Sequence, residues 1–182
     1  EPEAWQVAPG DEIVAALRNG ENFEGASLPW LPVRVARAEV LGGGGASEIL
    51  SRPGDRPALR AVPEGAGLAA VLYRSDPIDL TYDSFAKFET FLEEKGNAEL
   101  LDVHRERGLP ETEVTEIYTR FAKALVSVGE GEGRDSARGM ELELVAGTNP
   151  FTAAMPGEIS LNPVRMTDPQ LLVLGIGTTL GV

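Results

Sequence analysis

Glycine and proline interrupt this chain so often that few long regular segments can form. Its 182 residues include 21 glycines and 13 prolines. Because both residue types break regular backbone structure, their frequency favours short strands and turns over long helices. Apolar residues that alternate at Ile13, Ala15 and Leu17 indicate a first strand. The turn residues at positions 18–20 are expected to end it.

Further strand patterns follow along the first half of the chain. Residues 31–41 are strand-like, but their alternation slips near Arg37, which predicts a β-bulge. The four glycines at positions 42–45 predict a hairpin tip. Residues 59–62 and 68–73 are predicted strands on either side of a turn. The second of these is apolar on both faces, so we expect it at the centre of a sheet.

The pattern becomes helical after Tyr82. Phenylalanines at helical spacing predict a first helix with Asp83 as its N-cap. A second helix is predicted over residues 97–108, and a third, amphipathic one over residues 114–128. The predicted fold class is therefore α+β, mainly an antiparallel, immunoglobulin-like β-sandwich with a three-helix insertion at about residues 83–128.

The predicted domain organisation separates the bulk of the chain from its last part. Residues 1–151 are interpreted as the β-sandwich domain, and residues 152–182 as a truncated or altered remnant of a second β segment. This remnant ends in an apolar run, which predicts self-association through a strand at a sheet edge. The chain opens with Glu1 rather than methionine, which predicts that its numbering begins inside a processed or trimmed protein.

Composition excludes several classes of function. Sixteen basic and 29 acidic residues give a net charge of −13, which argues against nucleic-acid binding. The chain has no cysteine and one histidine, so thiol chemistry, cysteine-based metal centres and multi-histidine sites are excluded. No apolar stretch reaches the roughly 20 residues that a membrane-spanning helix needs, so the chain is not expected to cross a membrane.

Four residues are candidate site residues. His104 is the candidate metal ligand, although a lone histidine beside an apolar helix face is more often structural. Trp30 and Tyr82 are candidate ligand-binding aromatics, whose alternative is a core or rim position. Asn22 lies in an unusual loop of the kind that often carries function.

Acidic residues offer weaker candidates. Asp76, Asp79 and Asp83 could bind a hard cation, but their spacing does not match a calcium loop, and a helix cap explains Asp83 alone. The acidic, glycine-rich residues 129–139 are interpreted as a solvated loop. A hydrolase that uses two carboxylates stays open, although the sequence singles out no pair.

An ordered set of short motifs covers about residues 1–151: residues 7–11, 22–25, 27–32, 54–59, 80–82, 107–112, 122–125 and 139–151, together with His104 and Tyr118. Through this ordered set the chain resembles a bacterial exported family, the NikM-like family. The family often has a histidine where this chain has Phe121, and its members typically carry a histidine before the equivalent of Glu1.

The resemblance implies a function as well as a fold. It implies a periplasmic or secreted, non-enzymatic binding or accessory protein, with Ni²⁺ or Co²⁺ as the bound metal and a membrane metal-uptake system as the partner. The alternative from the residues is a cell-envelope module that binds carbohydrate or protein, because aromatic residues lie on loops beside a predicted β scaffold.

Overall fold

The computed structural model describes residues 1–21, 24–152 and 161–163, most of which lie in strands and loops. The α+β class with mostly strands is confirmed. The elements are β1 (Gln6–Val7), β2 (Ile13–Ala15), β3 (Leu17–Glu21), β4 (Glu24–Leu28), β5 (Val35–Gly42), β6 (Gly45–Ser47), β7 (Leu59–Ala61), β8 (Gly67–Ser75), β9 (Ile78–Thr81), α1 (Phe85–Glu94), α2 (Glu99–Glu106), β10 (Thr115–Tyr118), β11 (Phe121–Val128), β12 (Leu144–Ala146) and β13 (Leu161–Pro163).

The described chain forms two compact units. The sheet unit contains the described residues of 1–76 and of 121–163, and the helical unit contains residues 77–120. Within the helical unit, β9 pairs with β10 in antiparallel register, and α1 and α2 follow β9 in the chain. In the described residues, neither helix has the length and hydrophobicity needed to cross a membrane.

A five-stranded sheet organises the sheet unit, with the strand order β1-β11-β8-β5-β6. β8 is antiparallel to both of its neighbours, and β1 is parallel to β11. The prediction that residues 68–73 form a central strand is therefore confirmed. β8 is apolar on both faces because each face is covered by other apolar residues.

Two hydrophobic cores lie against this sheet. The larger core combines alternate residues of β5, β8 and β11 with residues of the paired strands β2 and β7, including Ile13, Val40, Leu59 and Val126. The smaller core contains Ala70, Leu72 and Met140, with Phe121 and Leu125 packed against it. Successive β8 residues thus contribute to different cores, as the period-two geometry of a strand requires.

Two local predictions in the first half of the chain are confirmed. The register between β5 and β8 shifts between Val35 and Arg37, where the alternation slips in the sequence. Gly42 pairs with Gly45 across the predicted hairpin tip. A Cβ atom at Gly42 or Gly43 would collide with backbone carbonyl oxygens of Glu64 and Ala66, so this close approach requires glycine.

The three-helix insertion is wrong, because the described residues contain two α-helices. The segment predicted as a third helix forms β10 and β11 instead. β11 pairs along its whole length with β8, and its Ala122, Ala124, Val126 and Val128 have the strand period of two. Tertiary pairing at the centre of a sheet outweighs the helical spacing that the same apolar residues show.

Two smaller predictions also need correction. Ser84, rather than Asp83, caps α1, because its hydroxyl accepts a hydrogen bond from the Lys87 backbone N–H, whereas the Asp83 carboxylate pairs with the Lys87 side chain. Residues 18–20 do not end a strand, because β3 continues to Glu21 and pairs with β4. The predicted division at residue 151 stays a prediction, since most of the chain that follows lies outside the described residues.

Candidate functional site

Trp30 is buried and held by its backbone. Its N–H donates to the Asp55 carbonyl at 2.9 Å, and its own carbonyl accepts from the Gly54 N–H at 2.8 Å. These bonds tie Trp30, two residues before the 3-10 turn Pro32–Arg34, to the loop at residues 54–55. With 6% of its surface exposed, the Trp30 side chain is positioned as a core residue rather than as a ligand-binding surface. Asn22 lies outside the described residues.

Tyr82 and His104 belong to one group of rings in the helical unit. The centroid of the Phe88 ring lies 5.3 Å from that of Tyr82 and 5.5 Å from that of His104. Phe85 and Phe91 complete this group, which we call the aromatic cluster. The helical spacing of the phenylalanines on α1 places their rings on one side, where Tyr82 before α1 and His104 on α2 meet them.

His104 is held on several sides. Its ring centroid lies 5.5 Å from that of Phe85 as well as from that of Phe88, and its Nε2 lies 3.0 Å from the Pro110 carbonyl oxygen. Because a carbonyl can only accept, Nε2 donates, and Nδ1 remains as the nitrogen that could bind a metal in the neutral ring. The orientation of the ring is thus fixed by packing and by one hydrogen bond.

The environment of Tyr82 disfavours charge. Burial raises the pKa of its hydroxyl, and the nearby Glu116 carboxylate raises it further. Within the described part of the chain, the hydroxyl has no hydrogen-bond partner of ordinary geometry. Burial also raises the pKa of Glu116, although the interaction with Tyr82 opposes this shift in part. Tyr82 therefore presents a neutral ring to the aromatic cluster.

The described residues do not complete a metal site around His104. Borderline metals such as Ni²⁺ and Co²⁺ favour several nitrogen ligands. Within the described residues, no three acidic or histidine side chains come together in a way that could hold a metal ion. Asp76, Asp79 and Asp83 belong to no such group either. The described residues around His104 thus supply one metal ligand, the imidazole itself.

The sequence interpretation missed a buried ionic group in the sheet unit. The Lys123 Nζ lies 2.8 Å from Asp135 Oδ1 and 2.7 Å from Glu143 Oε1. The three side chains are 7%, 1% and 0% exposed, respectively. We call these residues the lysine triad.

The lysine triad is satisfied by further hydrogen bonds. Lys123 Nζ also donates to the Ser136 carbonyl at 3.1 Å. Asp135 accepts hydrogen bonds from the backbone N–H groups of Ser136 at 2.8 Å and of Ala146 at 2.9 Å. Glu143 accepts hydrogen bonds from the backbone N–H groups of Arg138 at 2.7 Å and of Met140 at 3.5 Å. The residues predicted as a solvated loop are thus folded onto β11.

A strand interpretation of β11 could have revealed Lys123. In a strand, Lys123 shares a face with Phe121 and Leu125, which pack against the smaller core. A lysine between two apolar residues on one strand face needs a carboxylate partner when that face is covered. The helical interpretation of residues 114–128 removed this signal, because a helix does not place Lys123 between Phe121 and Leu125 on one face. The buried pair Asp135 and Glu143 is not accessible to a glycoside substrate.

A cavity of about 60 Å³ lies at one end of the larger core. Its lining includes Trp5 and Tyr73, together with the small side chains Ala15, Ala122 and Ala124. Sites for small organic ligands usually have volumes of roughly 300–1,000 Å³. This cavity therefore has room for water-sized molecules and not for a sugar ring.

Comparison with known proteins identifies a family but no activity. The family described as a domain of unknown function, DUF4198, matches residues 1–162. No solved structure matches the chain. Since the family description names no ligand, the association with nickel or cobalt stays a prediction.

Proposed function

The chain belongs to the DUF4198 family, and from that premise we propose that it is a non-enzymatic binding or accessory module of a divalent-metal uptake system. The single observation that carries the proposal is the fixed orientation of His104. Histidines that bind metals usually donate one ring N–H to a carbonyl or carboxylate, which orients the other nitrogen. The contact between Nε2 and Pro110 has this form.

The resemblance to the NikM-like family and the charge of the chain support the same proposal. The resemblance implies a periplasmic or secreted location and Ni²⁺ or Co²⁺ as the cargo. A net charge of −13 attracts divalent cations to the surface. Because the described residues supply one ligand position, the proposal requires the remaining ligands from segments of this chain outside the described residues.

The finer description of the fold is part of this proposal. We propose an immunoglobulin-like sandwich for the sheet unit. Its support is the packing of β2 and β7 against the five-stranded sheet across the larger core. The strands of such a scaffold hold loops in fixed positions, which suits a binding module.

Titration with metal tests the proposal. Untagged protein is titrated with Ni²⁺ and with Co²⁺ in a calorimeter, with Mg²⁺ as the control metal. We expect micromolar binding of Ni²⁺ or Co²⁺ that is lost in His104→Gln. Arg107→Gln, a polar exchange on the same side of α2, is the matched control and should bind as the native protein does. Equal binding by His104→Gln, or no heat with the native protein, would overturn the proposal.

The second candidate is a cell-envelope module that binds carbohydrate or protein. The half-buried rings of the aromatic cluster favour it, because such rings stack on sugars and on apolar side chains. Both tryptophans lie in the sheet unit and Tyr82 lies in the helical unit, so the test is directed at Tyr82 itself. A glycan array probed with the native protein and with Tyr82→Leu is the better test. Signal from the native protein alone would favour this candidate.

A further inference from the structure

The lysine triad has the arrangement of a reactive centre as well as that of an ion pair. One amino group touches two carboxylates at 2.7 and 2.8 Å, and at most 7% of any of the three side chains is exposed. Groups held at such distances react with effective concentrations of about 10⁵–10⁸ M when their orientation is productive. The amino group and the carboxyl carbon of Asp135 are therefore placed to form an amide.

The two carboxylates differ in a way that assigns their roles. Asp135 accepts one backbone N–H on each oxygen, from Ser136 on Oδ1 and from Ala146 on Oδ2. Donors on both oxygens stabilise the negative charge that develops when a nucleophile attacks the carboxyl carbon. Glu143 receives its backbone donors on Oε2, which leaves Oε1, the atom against Lys123, to take a proton.

The surroundings favour loss of water. Phe121 and Leu125 flank Lys123 on the same face of β11 and pack against the smaller core beside Met140. An amide forms from an amine and a carboxylic acid with release of one water molecule, so exclusion of bulk water favours the product. The amide would also replace two buried charges by a neutral group, which removes the cost of keeping them from solvent.

We propose that Lys123 and Asp135 form an intramolecular isopeptide bond, with Glu143 as the proton carrier. Glu143 takes a proton from the ammonium group, and the amine attacks Cγ of Asp135. The tetrahedral intermediate then expels one oxygen, which leaves as water after it receives the proton from Glu143 and the second amine proton. The N–C bond forms, the C–O bond breaks, and no oxidant or reductant is needed.

The bond would brace a chain that has no cysteine and therefore no disulfide. It would join β11 to the segment that follows it, within the sheet unit. This inference is independent of the proposed metal function, since the triad and His104 belong to different units.

Mass spectrometry tests the proposal directly. We expect the intact native protein to be lighter than its sequence by about 18 Da, the mass of one water molecule. Trypsin should then release residues 121–134 linked to residues 135–138, uncut after Lys123 because its amine is acylated. Lys123→Met and Asp135→Ala should have their full sequence masses. The matched control, Lys87→Met, should keep the water loss, since Lys87 pairs with Asp83 on the surface.

Two further variants keep the test decisive if a triad variant folds poorly. Asp135→Asn should yield the same cross-linked product by losing ammonia, about 17 Da. Glu143→Gln should lower the cross-linked fraction at least about tenfold, as expected when a proton carrier is removed. Glu141→Gln, an exposed neighbour, is its control and should cross-link normally.

The opposing outcomes are equally specific. A full-mass native protein, freshly purified and after prolonged incubation, would overturn the proposal and leave the triad a non-covalent ion pair. A water loss that maps to cyclisation of Glu1, or to an aspartate other than Asp135, would overturn it too. The linked tryptic peptides are the result that establishes the bond.

Discussion

Within the described residues, two ion groups that each combine one cation with two carboxylates lie in different surroundings. In the sheet unit, Lys123 lies between Asp135 and Glu143, and in the helical unit, Arg105 lies between Glu89 and Glu111. The N–O distances are similar, 2.7 to 2.9 Å in both groups. The first group is almost fully buried, whereas the Arg105, Glu89 and Glu111 side chains are 48%, 35% and 52% exposed.

Burial decides what each group contributes. Water screens the Arg105 group, and holding three long side chains in place costs conformational entropy, so such exposed pairs contribute little. The lysine triad is shielded from water, and each member depends on the others for its charge balance. The two groups thus show that similar ion-pair distances do not imply similar contributions to the free energy of unfolding. The burial of the pair determines how much stability is lost when one partner is removed.

The largest effect is expected from Lys123→Met. Methionine preserves much of the aliphatic stem but leaves two buried carboxylates without a cation. The lost pairing should lower the free energy of unfolding by about 3–5 kcal/mol, as for other buried pairs that lose one partner, and loss of the proposed Lys123–Asp135 amide adds to this effect. Urea unfolding followed by circular dichroism measures it. A loss below about 1 kcal/mol would show that the triad behaves as a surface pair does.

A smaller effect is expected from Asn149→Ala. The Asn149 amide donates to the carbonyls of Gly131 and Gly133 at 2.8 and 2.9 Å, and its oxygen accepts from the Phe151 N–H. Its loss removes the donor from the buried Gly131 carbonyl and from the less buried Gly133 carbonyl, so the free energy of unfolding should fall by about 1–3 kcal/mol. Thr148→Ala, at an exposed neighbour, is the control for the same unfolding measurement. Equal effects of both variants would contradict a fixed loop around the triad.

Glu116→Gln should change the pH dependence of stability. Burial raises the pKa of Glu116 in the folded state. Its contribution to stability is therefore fully present below the ordinary glutamate pKa, about 4.3, and is lost as the pH rises through the folded pKa. Glutamine cannot ionise, so the variant should be more stable than the native protein at neutral pH, by less than about 1 kcal/mol because Glu116 is only half-buried.

Unfolding curves at several pH values between 4 and 8 measure this effect, with Glu113→Gln as an exposed control on the same unit. Parallel curves for the native and Glu116→Gln proteins would mean that the carboxylate is solvated. The contrast with the lysine triad would then be sharper, because burial of charge would be confined to the sheet unit within the described residues.

The smallest effect is expected from Arg105→Gln. The variant removes the cation of the exposed group, and water then solvates Glu89 and Glu111. We expect no resolvable change in urea unfolding. A clear loss of stability would contradict the comparison, because the exposed group would then contribute as much to the free energy of unfolding as the buried one.

The sequence predicted well where local geometry controls the backbone. The alternation of apolar and polar residues is interrupted by the glycines at residues 42–45 and shifts near Arg37, and both features are visible in the sequence. The central position of β8 is visible as a run of apolar residues without alternation. These features depend on the local spacing of apolar residues and on turn residues. They can be predicted without knowing which elements pack against the strand.

The sequence predicted poorly where distant pairing controls the outcome. Residues 121–128 have apolar positions that fit a helix and a strand alike, and their register with β8 selects the strand. The same error hid Lys123, and the glycine-rich composition of residues 129–139 concealed a segment held by Asp135 and Asn149. Of the candidate site residues, Tyr82 and His104 share the aromatic cluster, whereas Trp30 is a core residue.

β8 also has a consequence for motion. Its Ala69 and Val71 belong to the larger core and its Ala70 and Leu72 to the smaller one, so neither core can open without disturbing the strand that both share. The backbone amides of β8 are hydrogen-bonded on both edges, to β5 and to β11. Their exchange with deuterated solvent therefore requires the sheet unit to unfold as a whole, and their exchange rates would report its global stability directly.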